Sequence, residues 1–146
     1  MALHLLKLCV GPASIEELEE RIAVHRAEAA RLGHDPAPIH TTRMFPKRAR
    51  EIAGKGSIYW VIKGTLLCRQ SVRAIVKTTG EDGITRARLV LDPEVRTVSP
   101  RPCRPFQGWR YLTQRDAPAD LDRATLGDLA EMPESLRREL SSLGLI

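Results

Sequence analysis

The sequence predicts an α+β domain, a small antiparallel, partly closed β-barrel with an N-terminal helix and a C-terminal helix. Short segments of apolar and β-branched residues follow one another through the middle of the 146-residue chain, separated by turns that contain Gly or Pro. Helical periodicity of apolar residues occurs near both ends. Because long strands joined by tight turns protect their edges by closing, we expect the sheet to be a partly closed barrel. The length of the chain suggests a single domain over residues 1–146.

The N-terminal part predicts one strand followed by one helix. Residues 2–10 are mostly apolar and predict the first strand, which the Gly-Pro pair at 11–12 ends. Ser14 begins a Ser-Ile-Glu-Glu capping box, so a helix is expected from there to about Leu32. Its apolar residues recur at helical spacing, and Gly33 is a natural stop.

The middle of the chain predicts strands and one short helix. Pro46 suits the first turn of a helix that Gly54 closes. The Gly-Glu-Asp-Gly cluster at 80–83 predicts a hairpin turn. Residues 99–105 contain three prolines and are expected to be irregular or to lie at a sheet edge. The expected strands cover 39–45, 57–63, 65–78, 84–91, 94–98 and 107–112.

The C-terminal segment at 116–146 is acidic and is predicted to be partly helical. A final helix is expected to begin near Pro133, with Leu136, Leu140 and Leu143 on one face and Gly144 at its end.

Charge is distributed unevenly. The net charge of +5 combines a net charge of −2 over residues 1–36, +11 over 37–115 and −4 over 116–146. All six Phe, Tyr and Trp residues also lie in the basic middle. Lys and Arg displace counterions from phosphates, and exposed rings stack on unpaired bases, so this combination suits a polyanion such as RNA. A solvated outer sheet face is the alternative interpretation of the same charges.

Three clusters supply the candidate binding residues. Alternation along the hairpin at 65–91 places Arg69, Arg73, Lys77, Arg86 and Arg88 on one outer face if the apolar residues of its strands match. A second cluster opens the short helix, and a third surrounds Trp109, which is expected to be the exposed ring, with Tyr59 as its alternative. The nucleic-acid-binding candidates are Arg43, Lys47, Arg48, Lys63, Arg69, Arg73, Arg86, Arg88, Trp109 and Arg110.

Signals for catalysis are few. His4 and His40 would approach each other if the first two strands pair, and a His beside Lys63 or Arg43 could cleave RNA by acid–base chemistry. Asp92 and Glu94 share a strand face, but a lone Asp-x-Glu is a weak metal signal. The histidines show no metal spacing, and no nucleotide-binding or nucleophile motif is present. We therefore expect no metal and no cofactor, and we favour a binding protein over an enzyme.

Cysteine usage and hydropathy indicate the compartment. Cys9, Cys68 and Cys103 lie far apart, which predicts neither a disulfide framework nor a zinc site and fits a reducing environment. Cys68 is expected to be a buried small apolar residue. No apolar run approaches the ~20 residues of a membrane span. We expect a cytoplasmic protein without a membrane partner.

Several motifs resemble a known family. They are HLLKLCVG at 4–11, TRMFPKR at 42–48, GSIYWVIKG at 56–64, CRQ at 68–70 and RPFQGWRYL at 104–112. Together they resemble a family of uncharacterised bacterial proteins, domain of unknown function 1489. This resemblance implies a bacterial cytosolic protein and carries no activity. The order of the elements is also similar to that of PUA and ASCH pseudo-barrels, a superfamily rich in RNA and modified-nucleotide binders.

These observations favour a module that binds RNA or single-stranded nucleic acid. One alternative is a structural or protein-interaction domain whose basic face meets an acidic partner, or its own acidic ends within one chain or in a homodimer. The other is a small RNA- or nucleotide-processing enzyme that uses His40, or Asp92 and Glu94.

Overall fold

Seven strands and two helices form the regular structure of residues 2–122, which are the residues that the computed structural model describes. The predicted C-terminal helix, and all of the acidic segment 116–146 beyond residue 122, lie outside the described residues. In chain order the elements are β1 (Leu3–Leu8), α1 (Ile15–Arg31), β2 (Ile39–Thr42), α2 (Ala49–Ile52), β3 (Ser57–Ile62), β4 (Thr65–Thr79), β5 (Thr85–Leu91), β6 (Arg96–Pro102) and β7 (Trp109–Thr113).

Helix α1 begins and ends where its sequence predicts. The Ser14 Oγ accepts a hydrogen bond from the Glu17 backbone N–H at 3.1 Å, and Glu17 reaches back to the Ala13 N–H at 2.5 Å. The first bond satisfies an N–H group that the first turn of a helix leaves unpaired, and the second connects Glu17 to the residue before the N-cap. The helix buries Ile15, Leu18 and Ile22 against the sheet.

The α+β class is confirmed, but the sheet is mixed, which corrects the prediction that it is antiparallel. Its strand order is β2-β5-β4-β3-β1-β7, and β6 pairs with β4. β1 and β3 are parallel, whereas the other pairs are antiparallel. The parallel pair arises because α1, β2 and α2 lie between the two strands, which gives the chain room for a crossover. All six residues of β3 are buried, as expected of a central strand covered on both faces.

Backbone hydrogen bonds do not close the sheet, since β2 and β7 form the two ends of its strand order. The proline-rich segment lies at an edge, as expected: Pro100 and Pro102 belong to β6, whose partner is the first part of β4. Pro is tolerated there because an edge strand leaves backbone groups unpaired. The later part of β4 pairs instead with β5.

Two bulges in β4 change which side chains face the core. Leu66 is paired with Val61 and Cys68 with Trp60, so Leu67 is an extra residue. Arg73 is extra in the same way, because Val72 is paired with Leu91 and Ala74 with Val90. Each bulge shifts the alternation of the strand by one residue.

The second bulge explains why the expected row of cations along β4 is incomplete. Beyond it, Ile75 is paired with the buried Leu89, and Lys77 with the buried Ala87. Lys77 therefore lies on the same face of the sheet as Leu89. This is the face that α1 covers, and we call it the core face; Arg69 lies on the opposite, outer face. Arg73 occupies the bulge itself.

Apolar side chains pack on both faces of the sheet. One cluster joins α1 and α2 to the sheet and includes the buried Ile58, Trp60 and Cys68, which confirms the buried position predicted for Cys68. The second cluster contains Tyr59 and Val61, the alternate residues of β3. Both faces of β3 are therefore covered by apolar side chains, as expected of a strand at the centre of the sheet.

Gly56 marks a close approach between backbones, and replacing it tests the packing of β1 against β3. A Cβ atom at this position would lie 1.9 Å from the Leu3 carbonyl oxygen. Neither backbone can withdraw without breaking strand pairs, so we expect Gly56→Ala to lower the free energy of unfolding by about 3 kcal/mol or more. Urea denaturation followed by circular dichroism measures this loss.

The matched control is Gly33→Asn, because Gly33 has a φ of 75° and open space around it. Asn tolerates that left-handed conformation, so this variant should stay close to the wild type. Equal stability of the two variants would contradict the close-approach argument.

Candidate nucleic-acid interface

The segment that follows β2 is attached to the aromatic residues of β7. The Trp109 indole Nε1–H donates to the Met44 carbonyl oxygen at 3.0 Å, and the Arg48 backbone N–H donates to the Tyr111 hydroxyl at 3.1 Å. These bonds bring together residues that are more than sixty positions apart in the chain. We name residues 43–50 together with Lys77, Trp109 and Tyr111 the basic–aromatic patch.

The rings of the patch are ordered by contacts with each other and with cations. The Trp109 and Tyr111 rings meet edge to face, with centroids 4.9 Å apart. The Arg48 guanidinium lies 5.8 Å from the centre of the Tyr111 ring, and the Lys77 ammonium lies 5.9 Å from that of Phe45. Such distances are within the range of cation–π attraction.

Tyr111 is the most exposed of these rings, and the burial of Tyr59 corrects its choice as the alternative stacking ring, whereas Trp109 is more exposed than Trp60, as expected. Tyr111 is 37% exposed, whereas Tyr59 is 3% exposed and Trp109 is half-buried against the core. Trp60 is buried, as expected. The alternation of β7 already places Tyr111 on the same face as Trp109, and this pattern was the signal that could have identified it.

The patch carries an excess of positive charge. Arg48 forms a salt bridge with Glu51 at 2.6 Å, and this contact lowers the pKa of the Glu51 carboxyl, so the pair is ionised at neutral pH. The other basic side chains of the patch form no salt bridge with any residue of the described part of the chain. They are Arg43, Lys47, Arg50 and Lys77.

Three of the arginines predicted from the central hairpin are held by carboxylates. Arg69 binds both oxygens of Asp120 at 2.8 Å and also donates to the Ser57 hydroxyl. Two more ion pairs join Arg73 to Asp92 at 3.2 Å and Arg86 to Asp82 at 2.7 Å. The contact with Arg86 lowers the pKa of Asp82 to about 2. These arginines stabilise turns and crossings and do not form a shared free surface with the patch.

The remaining binding candidates lie elsewhere on the sheet. Arg88 is exposed and is paired with Thr41 on the outer face. Lys63 occupies the turn between β3 and β4, with a φ of 48°. The Arg110 guanidinium lies 4.7 Å from the centre of the Phe106 ring, and alternation places Arg110 on the face opposite to Tyr111.

The two histidines considered for catalysis lie in different strand environments. β1 pairs with β3 and β7 and not with β2, so the pairing that would bring His4 close to His40 does not occur. The His4 Nδ1 accepts a hydrogen bond from the Ser57 N–H at 2.9 Å, which leaves the proton on Nε2, 2.6 Å from the Gln114 Oε1. Burial also lowers the pKa of His4. His4 is therefore neutral, and both of its ring nitrogens form hydrogen bonds within the fold.

His40 packs edge to face against Trp60, with ring centroids 5.1 Å apart. Burial lowers the pKa of His40 to about 4, and the positive charge of Lys7 contributes in the same direction. Its Nε2 is buried and has no hydrogen-bond partner among the described residues.

The Asp92 and Glu94 carboxylates take part in a turn and in ion pairs. Asp92 accepts the Glu94 backbone N–H at 2.9 Å and pairs with Arg73, while Glu94 lies 3.4 Å from Arg96. Within residues 2–122, no group of three or more His, Cys, Asp or Glu side chains is placed to hold a metal ion. No helix in the same range combines the length and apolar character that crossing a membrane requires.

Fold and patch together define an α+β protein with a mixed seven-stranded sheet and a basic surface that carries an exposed ring. The chain belongs to the family described as Protein of unknown function (DUF1489), whose model matches residues 5–146. No curated protein and no solved structure matches the chain.

The buried state of His40 predicts a stability that depends on pH. Because the pKa of His40 is lower in the folded chain than its ordinary value of 6.5, the unfolded chain takes up a proton first as the pH falls. The free energy of unfolding therefore keeps its full value above pH 6.5 as far as His40 is concerned, and it falls as the pH is lowered from there to about 4. By about pH 5 the loss should be on the order of 1–2 kcal/mol.

Urea denaturation of the wild type and of His40→Phe, at about pH 7 and about pH 5, measures this contribution. Phe retains the edge contact with Trp60 but cannot titrate, so the variant should lose less stability on acidification. Equal losses in the two proteins would show that His40 is not the titrating group.

The Arg69–Asp120 pair predicts a measurable loss of stability in Asp120→Asn. Arg69 is 18% exposed, so removing the carboxylate leaves a largely buried cation with weaker partners. We expect a loss of about 1 kcal/mol in the free energy of unfolding, as for the stronger ion pairs at protein surfaces. Glu94→Gln is the matched control, because its pair with Arg96 is longer and more exposed. A larger effect of the control would contradict this assignment.

Proposed function

We propose that the protein binds single-stranded RNA or other single-stranded nucleic acid through the basic–aromatic patch. The observation that carries the proposal is the pair of hydrogen bonds from β7 to Met44 and Arg48. They hold a cationic segment beside an exposed Tyr ring, and phosphate neutralisation and base stacking need these two components side by side.

Charge supports a phosphate-bearing partner. Four of the five basic side chains of the patch have no carboxylate partner within residues 2–122, so no salt bridge within that range has to break before a polyanion displaces their counterions. The fifth, Arg48, stays close to the Tyr111 ring while it is paired with Glu51.

The exposed ring favours single strands over duplexes. A Tyr face can stack on a base only where that base is unstacked from its neighbours, as in loops and single strands. Tyr111 is also held in place, since its hydroxyl accepts the Arg48 N–H and its ring edge meets Trp109. A ring that is already ordered loses little conformational entropy on binding.

The proposal includes a PUA-like arrangement of the sheet and a cytoplasmic, bacterial setting. Support for the arrangement comes from the side-chain bonds that connect β7 to the segment after β2, because these strands are the two ends of the sheet order.

Fluorescence anisotropy with a labelled single-stranded RNA of about 12 nucleotides tests the proposal. Replacing Arg43 and Lys47 together by Gln should weaken binding by about tenfold and should lower the dependence of log affinity on log salt by about 1.4. Arg26→Gln is the matched control, because this exposed arginine lies on α1, outside the patch. The proposal fails if the double variant and the control bind RNA equally well.

A second pair of variants separates stacking from charge. Tyr111→Phe keeps the ring but loses the hydroxyl that accepts the Arg48 N–H, so its RNA affinity should fall less than that of Tyr111→Leu, which should lose about tenfold or more. Heparin carries charge but no bases, so its binding should be the same for the two variants. Equal loss of RNA and heparin binding in Tyr111→Leu would argue against stacking.

An acidic protein segment is the second candidate partner. The Asp120 carboxylate on Arg69 shows that acidic residues near the C-terminal end of the described chain can satisfy an arginine of this sheet. Polyglutamate that competes with RNA for the patch, with no effect of Tyr111→Leu on either ligand, would favour this candidate.

A further inference from the structure

A pocket of about 240 Å³ lies between α1 and the core face of the sheet. Residues from α1, from β1 to β5 and from the connecting segments line it. Among these lining residues of the described chain are two cations and two histidines, and none is Asp or Glu. No residue of the basic–aromatic patch lines the pocket, so the inference that follows is independent of the proposed function.

One wall of the pocket is a fixed aromatic ring. The Trp60 indole Nε1–H donates to the Gln70 Oε1 at 2.9 Å, and the Gln70 amide in turn donates to the Asp92 carbonyl oxygen at 2.9 Å. His40 packs against the same indole with an interplanar angle of 90°. Contacts on several sides therefore hold the Trp60 ring in one orientation, which favours a planar ligand.

The polar part of the wall is positive. Lys7 is paired with Trp60 across the parallel strands, and its charge acts on both His40 and Cys9. Arg21 is held at the end of β1 by a bond of 3.2 Å to the Val10 carbonyl oxygen. Burial raises the pKa of the Cys9 thiol to about 11, so this group is neutral and does not offset the two cations.

His40 supplies an unsatisfied polar atom. Its imidazole is neutral at physiological pH, and its buried Nε2 has no partner among the described residues. Buried polar atoms without partners are uncommon in proteins, and His40 is one of the residues that line the pocket, so a ligand that reached this nitrogen would supply the missing hydrogen-bond partner.

We propose that this pocket binds a small planar anion, a single aromatic ring that bears a carboxylate or phosphate group. The ring lies against Trp60, and the anionic group faces Lys7 and Arg21. The volume fits this class, because a cavity of about 150 Å³ already accepts benzene, and a charged substituent needs additional space.

Benzoate and phenyl phosphate are suitable probes, and benzyl alcohol is their neutral counterpart. Trp60 and Trp109 are the two Trp residues of the chain, so in a Trp109→Phe protein the fluorescence of Trp60 reports on the pocket directly. We expect saturable changes with benzoate or phenyl phosphate at dissociation constants below about 1 mM, and at least tenfold weaker binding of benzyl alcohol. The stronger of the two probes identifies the anionic group.

Charge-removing variants test the location of the site. Lys7→Gln and Arg21→Gln should each weaken binding of the stronger probe by about tenfold, and Arg26→Gln on the same helix should leave it unchanged. Arg21 and Arg26 are both exposed on α1, so this pair remains informative even if Lys7→Gln fails to fold.

Any of four results would overturn the proposal. The first is the absence of saturable binding of both anionic probes, and the second is equal affinity for benzyl alcohol. The third is equal binding of the anions by Arg21→Gln and Arg26→Gln. Inorganic phosphate that binds as tightly as phenyl phosphate would also count against it, because the ring would then contribute nothing to recognition.

Discussion

The attachment of the 43–50 segment to β7 is the interaction on which the proposed interface depends. Without the bonds from Trp109 to Met44 and from Arg48 to Tyr111, the cations of this segment and the rings of β7 would be separate features of distant chain regions. The two bonds are individually modest, on the order of 1 kcal/mol each. Their effect is mainly geometric, because they join the two ends of an open sheet order at one place and leave Tyr111 accessible there.

The β4 bulges determine how charge is divided between the two faces of the sheet. A regular strand would place Arg69, Arg73 and Lys77 on one face, and their mutual repulsion would then favour an anion over the hairpin. The shift at Arg73 instead moves Lys77 to the face where Phe45 lies, so its charge joins the patch. Arg69 remains on the other face and is neutralised by Asp120, which connects the crossing chain to the sheet.

The patch and the pocket represent two different ways of accommodating negative charge. The patch is an exposed surface of long basic side chains, which suits a repeating polymer whose affinity depends on salt. The pocket is bordered by α1 and lined by a fixed indole, which suits one small molecule of defined shape. Both depend on the core face of the sheet, since Lys7 is paired with Trp60 in the pocket and with Trp109 in the patch.

Local patterns in the sequence determined the elements, and the tertiary structure decided their arrangement. The Ser14 capping box defined the start of α1, the apolar run at 57–62 defined β3, and the prolines placed β6 at an edge, because each of these signals acts within a few residues. The composition also identified the basic 43–48 segment. The parallel pairing of β1 with β3 and the bulges of β4 could not be predicted, since strand pairing and register depend on contacts between distant residues. The same contacts decided that Tyr111 and not Tyr59 is exposed, because β3 is covered on both faces and its Tyr59 side chain is buried.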